Sequence, residues 1–263
     1  MKPVFVVLCA ALAATFGTAH AATVLITGAD RGLGLEFTRQ YAARGDTVIA
    51  TCRHPEDAAE LQGLAAAKKT IVVERLDVTD EAGVRSLATK YHGKPIDVLV
   101  NNAGILGDRD GQSLGTYSLK VFHDVMDVNA LGPLVVSEAF RDNVIASKEK
   151  KIVAVTSGRM GSISGAVDLP KRPYYYRMSK AAMNMGLQAL GADLKSQGVA
   201  VAVVSPGVAD TAMHVAFASD YDINNPAVTA AQSVSGMIAV IDKLDQSQAG
   251  RGILNYDGTV TAW

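Results

Sequence analysis

Tyr176 and Lys180 stand four residues apart in the run Tyr174-Tyr175-Tyr176-Arg177-Met178-Ser179-Lys180. On a helix, that spacing puts a phenol and an ammonium on one face. A phenol beside a fixed positive charge is a proton donor and acceptor, because the charge favours the phenolate and draws its pKa down from about 10. Of the three adjacent tyrosines, only Tyr176 has a lysine at this distance; Tyr174 meets Met178 and Tyr175 meets Ser179. Tyr174 and Tyr175 are therefore expected to end the preceding loop and border a substrate pocket. A packed tyrosine beside a solvated lysine has the same spacing, so the elements that position the pair must decide.

Those elements alternate. Short, nearly continuous apolar runs at 23–26, 47–51, 71–76, 97–100, 152–156 and 199–204 predict strands covered on both faces, and 252–255 a last strand. Helical patterns fall between them at 33–44, 57–67, 81–91, 119–145 (two helices split near Gly132-Pro133), 176–196 and 228–244. This order predicts an α/β fold, a doubly wound parallel sheet with right-handed crossovers. Ligands in such sheets bind beyond the carboxyl ends of the strands. No repeat or linker divides the chain after its first 21 residues, so 22–263 is expected to be one domain.

Strand ends carry the polar chemistry. The first runs into Thr27-Gly28-Ala29-Asp30-Arg31-Gly32-Leu33-Gly34 and then a helix. Such a turn lets backbone approach a pyrophosphate held at the helix N-terminus. The second ends at Arg53, 19 residues beyond Gly34, where an arginine pairs with a ribose 2′-phosphate and a carboxylate would take the 2′-hydroxyl. Arg31 reaches toward the same phosphate, and the two arginines favour NADP(H) over NAD(H). The third ends at Asp77, placed for an adenine amino group. The fourth ends at Asn101-Asn102-Ala103-Gly104, small and polar beside a cofactor. Asn129 lies where the helical stretch is interrupted, and the fifth strand ends at Thr156-Ser157.

The remaining features bound the function. Net charge is −1 over 263 residues, which makes no case for nucleic acid or an anionic membrane. The histidines His54, His92, His123 and His214 are isolated, and neither a metal spacing nor a G-x-S-x-G elbow is present. Lys2, an apolar run to about Phe16 and Ala19-His20-Ala21 predict a secretory signal peptide over 1–21, hence a periplasmic or secreted protein; a cytoplasmic one follows if the segment is not a signal. Its removal leaves 24 Lys and Arg against 26 Asp and Glu, and Cys52 as the one cysteine, with no partner for an internal disulfide.

Taken in order, T-G-x3-G-x-G at Thr27–Gly34, N-N-A-G at Asn101–Gly104, Asn129, a strand-end serine, Y-x3-K at Tyr176–Lys180 and Pro206-Gly207 resemble the short-chain dehydrogenase/reductase family. The run from Tyr174 to Ala182 and the ending Tyr256-Asp257-Gly258-Thr259 resemble C-factor and sniffer-like carbonyl reductases. The resemblance implies a Rossmann-type fold and a carbonyl or alcohol substrate. Tyr176 would be the proton donor in reduction, and Lys180 would hold the nicotinamide ribose and lower the pKa of Tyr176. Ser157 would hold the substrate oxygen and Asn129 a relay water. Asp77, Val78 and Asn102 would contact adenosine, and Ala209 and Thr211 the nicotinamide side. From Ser157 to Tyr176 is 19 residues, longer than the family's usual interval, so 158–173 is expected to be an enlarged loop. Ser162 and Ser164 compete for the serine role. A homodimer or homotetramer follows the family habit. The alternative is an extracytoplasmic C-factor-like signalling or binding protein with little turnover, and a weaker one is oxidation of a lipid or polyol hydroxyl.

Overall fold

The computed structural model describes residues 21–156, 158–165, 173–218 and 228–263. The expected signal segment, save Ala21, and Ser157 lie outside the described residues. In the first half of the chain come β1 (Thr23–Thr27), α1 (Gly32–Ala43), β2 (Thr47–Cys52), α2 (Ala59–Ala67), β3 (Ile71–Arg75), α3 (Glu81–Lys90), β4 (Val98–Asn101) and α4 (Leu119–Met126). A π turn, Asp127–Leu131, leads to α5 (Gly132–Ala139), α6 (Arg141–Ile145), β5 (Lys151–Val155), α7 (Gly158–Gly161) and α8 (Tyr174–Leu194). The chain closes with β6 (Ala200–Ser205), β7 (Ala209–Asp210), α9 (Ala212–Ala218), β8 (Val228–Thr229), α10 (Ala230–Asp242), β9 (Ile253–Asn255) and β10 (Val260–Thr261).

The main sheet runs β10-β9-β6-β5-β4-β1-β2-β3, parallel throughout except for β10, which is antiparallel to β9. Strand residues alternate between two apolar layers. Val24 and Ile26 of β1, Val153 and Val155 of β5, and Ala202 and Val204 of β6 face α1 and α10. Leu25, Ile152, Ala154, Val201 and Val203 face α3, α5 and α8. Burial on both faces explains why the central strands read as continuous apolar runs. Edge strand β3 is the exception, with Val72 41% exposed.

The register levels the strand ends. Thr27 pairs with Thr51, Asn101 with Ala154, Val155 with Val204, and Ser205 with Asn255. The order reverses between β1 and β4, so a crevice opens there at the carboxyl edge.

Three local expectations change. First, α8 starts at Tyr174, because Pro173 presets the backbone and its carbonyl accepts the first helical bond from Arg177 N–H at 3.2 Å. Tyr174 and Tyr175 therefore open the helix instead of ending a loop. Second, the helical path continues through Gly132-Pro133: Pro133 stands in the first turn of α5, the N–H it lacks is the one four residues on from the Asn129 carbonyl, and the irregularity is the π turn just before it. Third, the segment after β5 begins as the short helix α7, and 166–172 lies outside the described residues.

Candidate active site

At the β1/β4 crevice a cleft of about 1690 Å³ runs across the carboxyl edge. Its first half is backbone. Gly28 has φ +65°, and a Cβ there would lie 2.9 Å from Cα of Ala103. A Cβ on Gly34 would overlap the carbonyl oxygen of Gly28. Only glycine fits either position, and the N-terminus of α1, with no acidic residue in its first turn, is left facing the cleft. Gly28, Arg31, Gly32 and Leu33 all line it. Gly34 acts one step behind, in the packing of the turn. These features fit a dinucleotide pyrophosphate.

Asn102 braces this turn. Its Nδ2 donates to the carbonyls of Thr27 (2.9 Å) and Gly28 (3.0 Å). Thr27 Oγ1 in turn accepts the N–H groups of Asn102 and Ala103, each at 3.0 Å. Both amide hydrogens of Asn102 are thereby spent on the protein. Next along the cleft, Arg53 is exposed, and Arg31 pairs with Asp30 at 3.4 Å with 80% of its side chain in solvent. Asp77 is held in a tight turn, accepting from Thr79 N–H (3.0 Å) and Thr79 Oγ1 (2.7 Å). Those bonds, with Arg53 and His54 nearby, keep its carboxyl below the usual range against the opposing effect of burial. Val78 lines the wall behind it. His54, isolated in the sequence, has Glu56 Oε1 at 3.4 Å from its Nδ1, and both are exposed.

The other half of the cleft holds Tyr176 and Lys180, each only 5% exposed. Lys180 Nζ donates to the Val155 carbonyl at 3.2 Å and lies 5.8 Å from the centroid of the Tyr176 ring. Burial lowers Lys180 to about 8, and burial raises Tyr176 to about 12. The expected depression of the tyrosine is thus reversed by burial. Desolvation outweighs the neighbouring charge, which is itself weakened and lies against the ring. The Tyr176 hydroxyl sits 3.9 Å from Met213 Sδ, and Met160 and Leu106 pack on the ring.

Asn129 is fully buried and fully engaged. Its Nδ2 donates to the Ile105 carbonyl (2.8 Å) and Ser179 Oγ (3.0 Å), and its Oδ1 accepts the Ile105 N–H (2.8 Å). Ser179 donates to the Tyr176 carbonyl at 2.8 Å, which ties this knot to α8. Asn129 is therefore behind the cleft wall, and its main-chain carbonyl faces Pro133, not an N–H, four residues on.

Ala209 (6% exposed) and Thr211 line the far rim, and Thr211 Oγ1 caps α9 by accepting the His214 N–H at 3.2 Å. Ser162 spends its hydroxyl on the Ala262 carbonyl at 2.7 Å, and the Ser164 N–H donates to Trp263 at 3.1 Å; neither lines the cleft. Tyr175 packs with Val121 and Val125, and among the described residues neither Tyr174 nor Tyr175 lines the cleft, where a pocket role was expected of both. Met160 and Met213, which line the cleft beside Tyr176, lie outside every sequence motif, as does Gln112, whose Oε1 accepts the Tyr176 N–H from behind the cleft.

A parallel doubly wound sheet with a glycine cradle and a buried Tyr/Lys pair defines a dinucleotide-dependent oxidoreductase architecture. The short chain dehydrogenase family model matches residues 22–222, and the chain belongs to that family. It is 35% identical over 182 residues to the C-signal of Myxococcus xanthus, spanning 68% of this chain and 100% of that protein. Among solved structures it resembles an NADPH-bound carbonyl reductase from chicken fatty liver (30% identity, TM-score 0.82, 92% of this chain and 99% of that one). It also resembles the carbonyl reductase Sniffer of D. melanogaster (27% identity, TM-score 0.79, 93% and 100%).

Proposed function

We propose that this protein is an NADP(H)-dependent oxidoreductase that reduces an aldehyde or ketone, or oxidises the corresponding alcohol, with Tyr176 as proton donor or acceptor. The observation that carries the reading is the buried Tyr176/Lys180 pair at one end of a cleft whose other end is a glycine cradle. Kinship with NADPH-bound carbonyl reductase supports it.

When bound, the nicotinamide supplies the hydride. The chain's own residues handle the proton and the alignment. Tyr176 is kept protonated by burial and gives its phenolic hydrogen to the substrate oxygen as negative charge builds there. Lys180 spends one N–H on Val155 and has two more for ribose hydroxyls and a proton path. The Asn129 carbonyl holds the relay water, and Ser157 holds the substrate oxygen. Gly28, Gly32, Leu33 and Gly34 shape the pyrophosphate seat, while Arg31 and Arg53 take the 2′-phosphate and set the preference for NADPH over NADH. Asp77 and Val78 border adenosine, with Asn102 acting through the glycine turn it braces. Ala209 and Thr211 border the nicotinamide. Residues 1–21 act as a cleaved export signal ahead of one catalytic domain, 22–263.

The test is consumption of NADPH, against NADH, over a panel of aldehydes and ketones. Saturable turnover with NADPH preferred is expected. The similarity to C-signal favours a second reading, a signalling or binding protein; NADPH bound tightly with no turnover of any carbonyl or alcohol would select it.

A further inference from the structure

Helix α8 begins without a cap of its own. Its N-cap residue is Pro173, which has no side-chain oxygen, whereas Ser, Thr, Asp or Asn there would accept an N–H of the first turn. The third helical N–H, the last without a partner in the turn, belongs to Tyr176 itself. Gln112 supplies the missing acceptor from 64 positions away: its Oε1 accepts the Tyr176 N–H at 2.9 Å. The other end of the same carboxamide donates to the carbonyls of Leu106 (2.9 Å) and Asp108 (3.0 Å). Gln112 is fully buried, and its bond to the Tyr176 N–H is shielded from water at both ends, while the Leu106 and Asp108 carbonyls are only partly shielded. Leu106 packs on the Tyr176 ring, and Asn129 grips the neighbouring Ile105 at both its N–H and its carbonyl. Of the segment 105–108, the end that lines the cleft at Ile105 is thus held by Asn129 and the other end by Gln112.

We propose that Gln112 is a positioning residue for Tyr176, coupling the backbone of that residue to the Leu106–Asp108 segment, whose Leu106 packs against Tyr176, so that the phenol keeps a fixed place in the cleft. The inference rests on the reductase reading above. A cap alone would stabilise α8; the coupling also aligns the proton donor, where small displacements are costly.

The test uses the full chain with Q112M, which keeps the length and removes both polar ends. P173S, alone and combined with Q112M, restores a cap from the N-cap position. Hydrogen exchange of the Tyr176 amide reads the contact, NADPH titration reads the cofactor site, and kcat and KM for one carbonyl substrate read the alignment. In Q112M the Tyr176 amide exchanges about tenfold faster or more, NADPH affinity is unchanged, and kcat falls by about 10–100-fold. Adding P173S restores amide protection but not kcat. Unchanged exchange in Q112M overturns the inference, and so does recovery of kcat together with protection, which would make Gln112 a structural cap only. If Q112M does not fold, Q112E keeps the acceptor and at most one of the two donor bonds, since a carboxyl buried against two carbonyls takes up a proton; it is expected to retain amide protection and lower kcat, and full kcat in it overturns the inference. A chain that turns over no carbonyl, or Y176F with full turnover, defeats the reductase reading instead, while amide exchange still decides whether Gln112 holds Tyr176.

Discussion

Replacing Lys180 by methionine should stabilise the ligand-free protein while abolishing its turnover. Burial lowers the Lys180 pKa from 10.5 to about 8, so carrying the ammonium in the fold costs on the order of 3 kcal/mol at neutral pH, at about 1.4 kcal/mol per tenfold. Methionine keeps the length and apolar stem but leaves the Val155 carbonyl without its 3.2 Å donor, a loss of about 1 kcal/mol. The net gain is about 2 kcal/mol, or a Tm rise of about 4–8 °C for a chain of this size. The sign has a pH signature. Because the folded value lies below the unfolded one, Lys180 binds more protons in the unfolded chain between about 8 and 10.5, and its contribution to wild-type stability rises with pH across that window. The advantage of K180M is therefore full below about pH 8 and shrinks above it; by about 10.5 the penalty is gone and the lost Val155 bond leaves K180M the less stable by about 1 kcal/mol. Denaturant unfolding of both proteins across this range checks it. A K180M chain less stable than wild type at neutral pH, or a gap that does not change with pH, would refute the placement of a buried, destabilising ammonium in the cleft.

Other perturbations separate the parts of the site. G34A would overlap the Gly28 carbonyl, so cofactor titration should show NADPH binding lost even where circular dichroism shows the fold retained. R53A should weaken NADPH binding by about tenfold, the worth of one partly exposed phosphate contact, and leave NADH binding unchanged in a parallel titration. NADPH affinity of the wild type should fall as pH rises through about 8, where the free enzyme loses its Lys180 charge; the K180M profile should be flat there. Amino-terminal sequencing of the protein from its native host should begin at Ala22, and a start at Met1 would show that the segment is retained.

Most of the sheet was legible because its strands are buried on both faces and the chain alternates strand with helix. The cleft was legible because strand ends at Gly28, Asn102 and Val155 fall level once the strands are parallel. What stayed hidden depends on three-dimensional proximity. Asn102 reads as a cofactor contact beside an N-N-A-G turn, yet its amide is spent on Thr27 and Gly28 across the β1/β4 seam. Spacing alone puts a charge next to Tyr176, but it does not reveal that both groups are desolvated, which reverses the expected direction of the tyrosine's pKa. Gln112 belongs to no motif; the one hint was Pro173, a residue unable to cap the helix it precedes. Helix α8 includes Tyr174 and Tyr175 for the same reason, since the proline fixes where the helix starts.

In the proposed reaction the Tyr176 phenol delivers the proton that completes carbonyl reduction. Y176F removes one oxygen and little else, so NADPH affinity should match wild type, while kcat with a carbonyl substrate should fall by about 10²–10⁴, the usual contribution of a positioned acid. Turnover by Y176F at the wild-type rate, with NADPH bound equally well, would contradict the account.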